Sequence, residues 1–437
     1  MEIQGLQSRR QIAELLGVPL KELTYILYVQ KPETFYRLFE IPKKNGGFRK
    51  IDAPEGPLIY IQRMLARRLT AWILEKKLNT SVSHAFKKGR SIITNARAHR
   101  NRRFVLSVDF RDFFNNIHFG RIEGFFRKNK YFGFSREAAI VIAQLTCYHG
   151  SLPQDAPTSR VLSNLICQIM DRRILELASK YRVHYSRYAD DLTFSTNWAN
   201  FGNESKNFLS ELTVVIGQSG FQINESKTRL QYKDSRQEVT ELIVNDKVGV
   251  PKRFVKNTRA MANTLYKTGQ FEINGKQGSI NQLEGRFTFI NQIDWYNHRV
   301  IDGVEPTHSS TRARLMKLNS RERQYRQFLV YKYFISNSQP LIVTEGKTDI
   351  PYIKSALRSL NQQFPDLATF NDEGEYSLKI SFFEQGIRLD HGRSGNKKNQ
   401  RLPYFLGLKM DGADELQHIY DYYTGKDSAN YPPYAQM

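Results

Sequence analysis

The stretch HYSRYADDLTFST, residues 184–196, contains two strand-like segments on either side of a short turn. Apolar and hydroxyl side chains alternate in its second half, DLTFST, and this period of two is typical of a β-strand. Ala189, Asp190 and Asp191 lie at the turn, so the stretch predicts a hairpin whose tip presents two adjacent carboxylates. An aspartate pair in a turn is usually only a solvated turn, and a functional interpretation therefore depends on the rest of the chain.

A third carboxylate lies upstream, in FVLSVDF at residues 104–110. The alternation predicts a strand and places Asp109 on its more polar face, near its end. Three carboxylates that converge at a sheet edge can hold two divalent ions about 3.5–4 Å apart, which activate an attacking 3′ oxygen and stabilise a leaving pyrophosphate. The predicted metal ligands and catalytic carboxylates are therefore Asp109, Asp190 and Asp191.

The charge of the chain indicates a polyanionic partner. Its 437 residues carry 65 Lys and Arg against 43 Asp and Glu, a net charge of +22, and the 40% hydrophobic content excludes wholesale disorder. Such a surplus favours nucleic-acid binding, because neutralised phosphates release counterions; a merely basic soluble enzyme is the alternative. Basic residues follow a helical pattern after residue 250, and the predicted nucleic-acid contacts there are Lys252, Arg253, Lys256 and Arg259.

Disulfide scaffolds, zinc sites and membrane spans are not indicated. Cys147 and Cys167 have no further Cys or His at metal-ligand spacing. The N-terminus lacks the apolar run of a signal peptide, and no stretch is apolar enough to span a membrane. These features predict a cytoplasmic protein with no membrane partner.

The acidic segments and their order resemble a reverse transcriptase over roughly residues 1–335. YADD at residues 188–191 resembles the palm motif of that family, Asp109 with its following aromatics resembles the upstream metal-binding motif, and LPQDAPTSRVLSNL from Leu152 resembles the nucleotide-binding loop. The resemblance implies an α+β right-hand polymerase with fingers, palm and thumb. It also implies a two-ion Mg²⁺ site and deoxynucleoside triphosphate substrates.

By this resemblance, further side chains would surround the nucleotide. Lys227 would occupy the basic position that protonates leaving pyrophosphate, with a plain surface lysine as the alternative. Phe114 would exclude a 2′-hydroxyl, whereas one of Phe113 and Phe114 is expected in the core. The other nucleotide-binding residues would be Lys43, Lys44, Arg49 and Gln154.

Two further segments resemble the retron reverse transcriptases of bacteria: NARAH at residues 95–99 and VTELIVNDKVGVPKRFVKN at residues 239–257. This implies that a cognate structured non-coding RNA serves as template and primer for an RNA-linked single-stranded DNA. Asn95 and His99 would then bind nucleic acid, although His99 could equally be a buried structural histidine. Three residues depart from the family pattern, and they bear on catalytic efficiency rather than on reaction class: Asp155 for Gly, Arg160 for Pro, and Glu241 for Gly.

The last hundred residues resemble the beginning of a TOPRIM domain, in PLIVTEGKTDIPYIKSAL from Pro340. Glu345 would lie at the carboxyl end of a buried strand and act as a catalytic residue of an effector nuclease. No downstream DxD pair follows, since Asp411 and Asp414 fit a helix cap and a solvated face better. A partial α/β TOPRIM-like domain is therefore expected, within an antiphage defence system.

The expected domains are N-terminal helices and fingers at 1–103, palm at 104–240, thumb at 241–335 and a partial TOPRIM-like domain at 336–437. Two other functions stay open: a non-polymerising RNA-binding scaffold that restrains a nuclease toxin, and a group II intron reverse transcriptase. Asp155 favours the scaffold, while NARAH and the C-terminal extension argue against the intron enzyme. A homo-oligomer is compatible with the sequence.

Overall fold

The structure is a computed structural model that describes residues 3–42, 46–78, 81–298, 318–344, 348–370, 374–383 and 401–406, with residues 420 and 424. The chain divides into two units, Met1–Gly249 and Val250–Met437. Five residues singled out from the sequence lie outside the described residues: Lys43, Lys44, Glu345, Asp411 and Asp414. The boundaries of the four expected domains stay a prediction.

A four-stranded antiparallel sheet lies at the centre of the first unit. Its strands are β3 (Phe104–Arg111), β4 (His184–Tyr188), β5 (Asp191–Thr196) and β6 (Gln222–Tyr232), in the order β4-β5-β3-β6. Five of the eight residues of β3 are buried, because helices cover the sheet and the strand has a neighbour on each edge. The strand predicted at 104–110 and the hairpin predicted around the aspartate pair are both present.

Nine α-helices are described in the first unit, and most contribute to one hydrophobic core with the sheet. The longest, α3 (Gly56–Glu75), buries Leu58, Ile61, Leu65 and Leu69 along one face, as the period of the sequence requires. The others are α1 (Arg9–Leu16), α2 (Leu20–Tyr25), α4 (Ile92–Ala98), α5 (Phe119–Lys128), α6 (Arg136–Thr146), α7 (Pro157–Ile166), α8 (Gln168–Lys180) and α9 (Phe201–Gln218).

An exposed hairpin precedes α3. Its strands, β1 (Tyr36–Pro42) and β2 (Phe48–Pro54), pair in antiparallel register from Tyr36–Pro54 to Pro42–Phe48. The turn between them includes Gly46 and Gly47, both at positive φ, a conformation that glycine adopts without strain. A short pair, β7 (Glu238–Val239) and β8 (Leu242–Ile243), closes the first unit.

The second unit has a separate core. The packed aromatic rings of Phe287, Tyr325 and Phe328 form its centre, and Phe405 joins them. Its helices are α10 (Lys252–Thr268), α11 (Ile280–Tyr296), α12 (Ser320–Val330), α13 (Asp349–Ser359) and α14 (Arg401–Leu406). Its strands are β9 (Glu272–Ile273), β10 (Lys276–Gln277), β11 (Leu341–Ile342), β12 (Ala368–Phe370), β13 (Tyr376–Leu378) and β14 (Ser381–Phe382), of which β11 and β14 pair in parallel.

None of the helices in the described part of the chain is both long enough and apolar enough to cross a membrane.

Candidate active site

The hairpin turn between β4 and β5 brings the three predicted carboxylates together. Tyr188 and Asp191 are the last cross-strand pair, so Ala189 and Asp190 form a two-residue turn. Asp191 lies directly opposite Asp109 of β3, where side chains of an antiparallel pair are close neighbours. The carbonyl of Asp190 accepts a hydrogen bond from the Phe110 amide at 3.3 Å, which fixes the turn against β3.

Burial, together with the charges of the neighbouring carboxylates, raises the pKa of two of these carboxyls. Burial, followed by the charges of Asp190 and Asp109, raises the pKa of Asp191 to about 7. Burial and Asp109 also raise the pKa of Asp190, while Lys227 and Arg49 act in the opposite direction. Ionisation of Asp190 and Asp191 is therefore unfavourable at this site, chiefly because both carboxyls are buried.

The donor set fits divalent cations of the Mg²⁺ kind, which prefer carboxylate oxygens. A bound cation would favour the ionised forms of Asp190 and Asp191, and so would act against the burial and repulsion that raise their pKa values. Within the described ranges, no three Asp, Glu, His or Cys side chains are already arranged around a single point as a metal site.

Lys227 reaches this site from β6. Its ammonium donates a hydrogen bond to Asp109 Oδ2 at 2.9 Å, while 60% of its side chain stays exposed. The pairing of β3 with β6 shifts between Ser107–Arg229 and Asp109–Asn224, so extra residues of β6 bulge between them. Such a bulge redirects a side chain, and here it brings Lys227 to Asp109.

The loop that resembles a nucleotide-binding motif lies before α7. Gln154 is half-buried, and Ser159 Oγ donates a hydrogen bond to the Pro153 carbonyl at 2.7 Å, which holds the loop closed. Asp155 is exposed and has a φ of 72°, in the left-handed region that favours glycine. Glu241, another departure from the family pattern, has a φ of 64°. Asp155 and Glu241 thus both replace the family's glycine at a positive φ, which glycine adopts without strain.

The two phenylalanines after β3 have different surroundings. Phe113 is buried and stacks on Phe110 and Phe221, with ring centroids 5.4 and 5.5 Å apart. Phe114 is half-buried and packs edge-on against Phe113. Phe113 is therefore the core residue, and Phe114 stays the candidate for contact with a sugar.

The structure contradicts the expectation that Asn95 and His99 of the NARAH segment bind nucleic acid. Asn95 and His99 are fully buried, and both bond to Ser186 of β4: its hydroxyl donates to Asn95 Oδ1 at 2.6 Å and lies 2.6 Å from His99 Nε2. His99 Nδ1 lies 2.8 Å from Ser195 Oγ of β5. Neither side chain reaches the surface to touch nucleic acid. They join α4 to the sheet, which agrees with the structural alternative for His99.

The basic residues of α10 are exposed, as a nucleic-acid contact requires; they are Lys252, Arg253, Lys256 and Arg259. Arg49 is likewise exposed on β2. These placements are compatible with the predicted roles.

Sequence reasoning missed a buried ion pair behind the turn. Arg187 and Asp171 are both fully buried, and Arg187 Nη2 lies 2.8 Å from Asp171 Oδ2. Burial acts to lower the pKa of Arg187, but the Asp171 charge raises it above its ordinary value. The only sequence signal was a basic residue inside an otherwise buried strand pattern.

Comparisons with known proteins find similarity to reverse transcriptases. Residues 41–260 match the family model described as reverse transcriptase (RNA-dependent DNA polymerase). The retron Mx162 reverse transcriptase of Myxococcus xanthus is 31% identical over 66% of this chain, which spans 64% of that relative. The retron Ec86 reverse transcriptase of Escherichia coli is 31% identical over 67% of this chain and 87% of the relative. A solved foamy viral protease-reverse transcriptase in complex with double-stranded DNA covers 68% of this chain and 43% of that chain, at 13% identity and a TM-score of 0.33.

The family match covers half of the chain, and the chain covers most of the length of the Escherichia coli relative. The matched residues include the carboxylate turn, Asp109, the loop before α7 and Lys227. The chain therefore belongs to the reverse transcriptase (RNA-dependent DNA polymerase) family and, within it, to the retron reverse transcriptases.

Proposed function

We propose that this protein is a retron RNA-directed DNA polymerase that copies a cognate structured non-coding RNA into RNA-linked single-stranded DNA in the bacterial cytoplasm. The observation that carries the proposal is the convergence of Asp109, Asp190 and Asp191 at one edge of the central sheet. Family membership supports the reaction class. The specific RNA partner rests on the retron relatives and the basic charge of the chain.

Asp109, Asp190 and Asp191 would hold Mg²⁺ ions. When bound, two such ions lower the barrier to attack by the primer oxygen and stabilise the leaving pyrophosphate. Lys227 then leaves Asp109, approaches the leaving group and donates a proton to it. Its present hydrogen bond to Asp109 and its exposed side chain support that role, since it lies beside the site and can move.

The other predicted residues would bind the incoming deoxynucleoside triphosphate. Arg49 is near enough to affect the pKa of Asp190, which supports a contact with the triphosphate. Gln154 would line the pocket and Phe114 would exclude a 2′-hydroxyl. The exposed cations of α10 would bind the nucleic-acid backbone.

The C-terminal residues would belong to a TOPRIM-like effector of an antiphage defence system, with Glu345 as its acidic residue. The described part supports this only through the order of β11 and α13 and the parallel pairing of β11 with β14.

Primer extension tests the polymerase proposal. Asp190→Asn should lower DNA synthesis about 100-fold or more, because a metal-ligand carboxylate is lost. The reaction contains Mg²⁺, four deoxynucleoside triphosphates and an RNA template annealed to a DNA primer, and RNA affinity is measured separately. Asp234→Asn, at an exposed turn after β6, is the matched control and should be fully active. Undiminished synthesis by Asp190→Asn would reject the site, and inactivity of the wild-type protein would reject the proposed function.

A further inference from the structure

The side chain of Arg187 connects a helix to the carboxylate turn. Arg187 Nε donates to Asp171 Oδ1 at 2.9 Å and Nη2 donates to Oδ2 at 2.8 Å, so the guanidinium binds the carboxylate of α8 through two parallel hydrogen bonds. The hydroxyl of Tyr185 donates to the same Oδ1 at 2.8 Å. All three side chains are buried. A bidentate ion pair of this kind fixes the orientation of the guanidinium as well as its distance from the carboxylate.

The remaining guanidinium nitrogen acts on the turn itself. Arg187 Nη1 donates to the Ala189 carbonyl at 3.1 Å, and that carbonyl belongs to the peptide that joins Ala189 to Asp190. Ala189 has a φ of 56°, which is unfavourable for an alanine and persists only where the surroundings impose it. The Asp190 carbonyl is held from the other side by the Phe110 amide. Both peptide planes that flank Asp190 are thus fixed.

The backbone of Arg187 is also held. Its amide donates to the Val82 carbonyl at 2.9 Å, and its carbonyl accepts from the His84 amide at 2.8 Å. The guanidinium therefore extends from a fixed point, and Asp171 fixes its far end. A buried ion pair usually adds little stability compared with apolar side chains of the same volume, so stability alone gives little reason for this arrangement.

We propose that Arg187 is a positioning residue: together with Asp171, it holds the Ala189–Asp190 peptide so that Asp190 and Asp191 are oriented for cation binding. This inference rests on the proposed polymerase function. Arg187 would then act on catalysis through the turn that it holds, and not by direct contact with substrate or metal.

A triple variant separates positioning from stability. Arg187→Met, Asp171→Leu and Tyr185→Phe together replace the buried polar group by apolar side chains of similar size and leave no buried charge or hydroxyl unpaired. We expect a melting temperature close to that of the wild type. We also expect about a 10- to 100-fold loss of kcat in primer extension, because a small displacement of reacting groups is costly. RNA affinity should be unchanged.

Two measurements do not depend on activity. Mn²⁺ binding to the protein alone, measured by electron paramagnetic resonance, should weaken in the triple variant. Hydrogen–deuterium exchange of peptides that contain residues 188–191 should become faster. Tyr185→Phe alone is the control, because it keeps the Asp171–Arg187–Ala189 connection, and it should match the wild type in kcat and Mn²⁺ affinity.

A triple variant that folds and retains wild-type kcat, Mn²⁺ affinity and exchange would overturn the proposal. If the triple variant does not fold, Arg187→Lys decides, since a lysine keeps the charge but cannot bond both carboxylate oxygens and the Ala189 carbonyl in the same geometry. Wild-type kcat and Mn²⁺ affinity in folded Arg187→Lys would also overturn it. Failure of the wild type to synthesise DNA would instead reject the proposed function, while Mn²⁺ binding would still test the positioning role.

Discussion

The ammonium of Lys227 donates a hydrogen bond to Asp109 Oδ2 at 2.9 Å, although the two residues are 118 positions apart. The bulge in β6 allows this contact, because Lys227 is one of the extra residues that lie between the pairs Ser107–Arg229 and Asp109–Asn224. In the absence of substrate, the lysine thus partly neutralises a carboxylate of the proposed metal site. Its role in proton donation can be separated from this charge pairing.

Lys227→Arg should keep the positive charge beside Asp109 but slow nucleotide addition about 100-fold or more, because a guanidinium does not release its proton at neutral pH. Single-turnover primer extension measures the rate. Lys206→Arg, at an exposed position of α9, is the matched control and should be unaffected. If Lys227→Arg matches the wild type, charge alone is required and proton donation is rejected.

Phe114→Ala should raise incorporation of ribonucleotides relative to deoxyribonucleotides by about 10- to 100-fold, because exclusion by bulk is lost when the ring is removed. Competition assays with both nucleotide types give the ratio. Phe113→Leu serves as the comparison: this ring stacks in the core, so its loss should lower the free energy of unfolding and leave sugar selectivity unchanged. If Phe113→Leu changed sugar selectivity and Phe114→Ala did not, Phe113 would be the residue that excludes a 2′-hydroxyl.

Local patterns predicted the elements that position the site. Alternation along residues 104–110 predicts β3 because each side chain of a strand faces one side of the sheet. The turn that carries Asp190 was predictable for a similar reason, since a short interruption between two alternating segments leaves few alternatives to a hairpin.

Long-range contacts were not predictable in this way. Asn95 and His99 resemble a functional motif, but only the fold shows that both are buried and hydrogen-bonded to serines of the sheet. The pairing of Arg187 with Asp171 also depends on how α8 packs against β4, which no local pattern encodes. Likewise, the positive φ of Asp155 is a property of its loop rather than of its residue type.

Two buried histidines should make stability depend on pH. Burial, with the charges of Arg90 and Lys87, lowers the pKa of His84 to about 4, and burial chiefly lowers the pKa of His99 well below its ordinary value. Below pH 6.5 these two histidines bind protons in the unfolded chain but stay neutral in the folded chain. The free energy of unfolding therefore falls as pH decreases. The expected slope is about 1.4 kcal/mol per pH unit for each such histidine.

Urea denaturation between pH 5 and 7.5 tests this expectation in an Asp191→Asn background, because Asp191, whose pKa is raised to about 7, would otherwise add a slope of the opposite sign in that range. Carboxyl groups of ordinary pKa contribute little there. His84→Gln should make the slope smaller even if it lowers stability at pH 7.5. An identical slope in the variant would show that His84 is protonated in the folded protein.

Asp155 should have two unfavourable effects: backbone strain at its positive φ, and repulsion between its carboxylate and a nucleotide triphosphate. Asp155→Gly should raise the free energy of unfolding by up to about 1 kcal/mol, because glycine adopts a φ of 72° without a steric penalty. Asp155→Ala should lower it, because alanine tolerates this conformation less well than aspartate. Urea denaturation of both variants measures the difference. Equal effects of the two substitutions would contradict the conformational explanation.

The charge of Asp155 has a separate effect that Asp155→Asn isolates, because asparagine also tolerates positive φ and has nearly the same shape. Removal of the negative charge should lower the apparent KM for deoxynucleoside triphosphates about two- to fivefold, as expected for an exposed charge near a polyanion. The gain should be larger at about 0.01 M than at about 0.1 M salt, since the screening length falls from about 30 to about 10 Å. Asp234→Asn removes an exposed aspartate elsewhere in the same unit and should leave the KM unchanged at both salt concentrations. A KM for Asp155→Asn that equals the wild-type value at low salt would mean that Asp155 does not face the triphosphate, and the family's glycine at this position would then be explained by conformation alone.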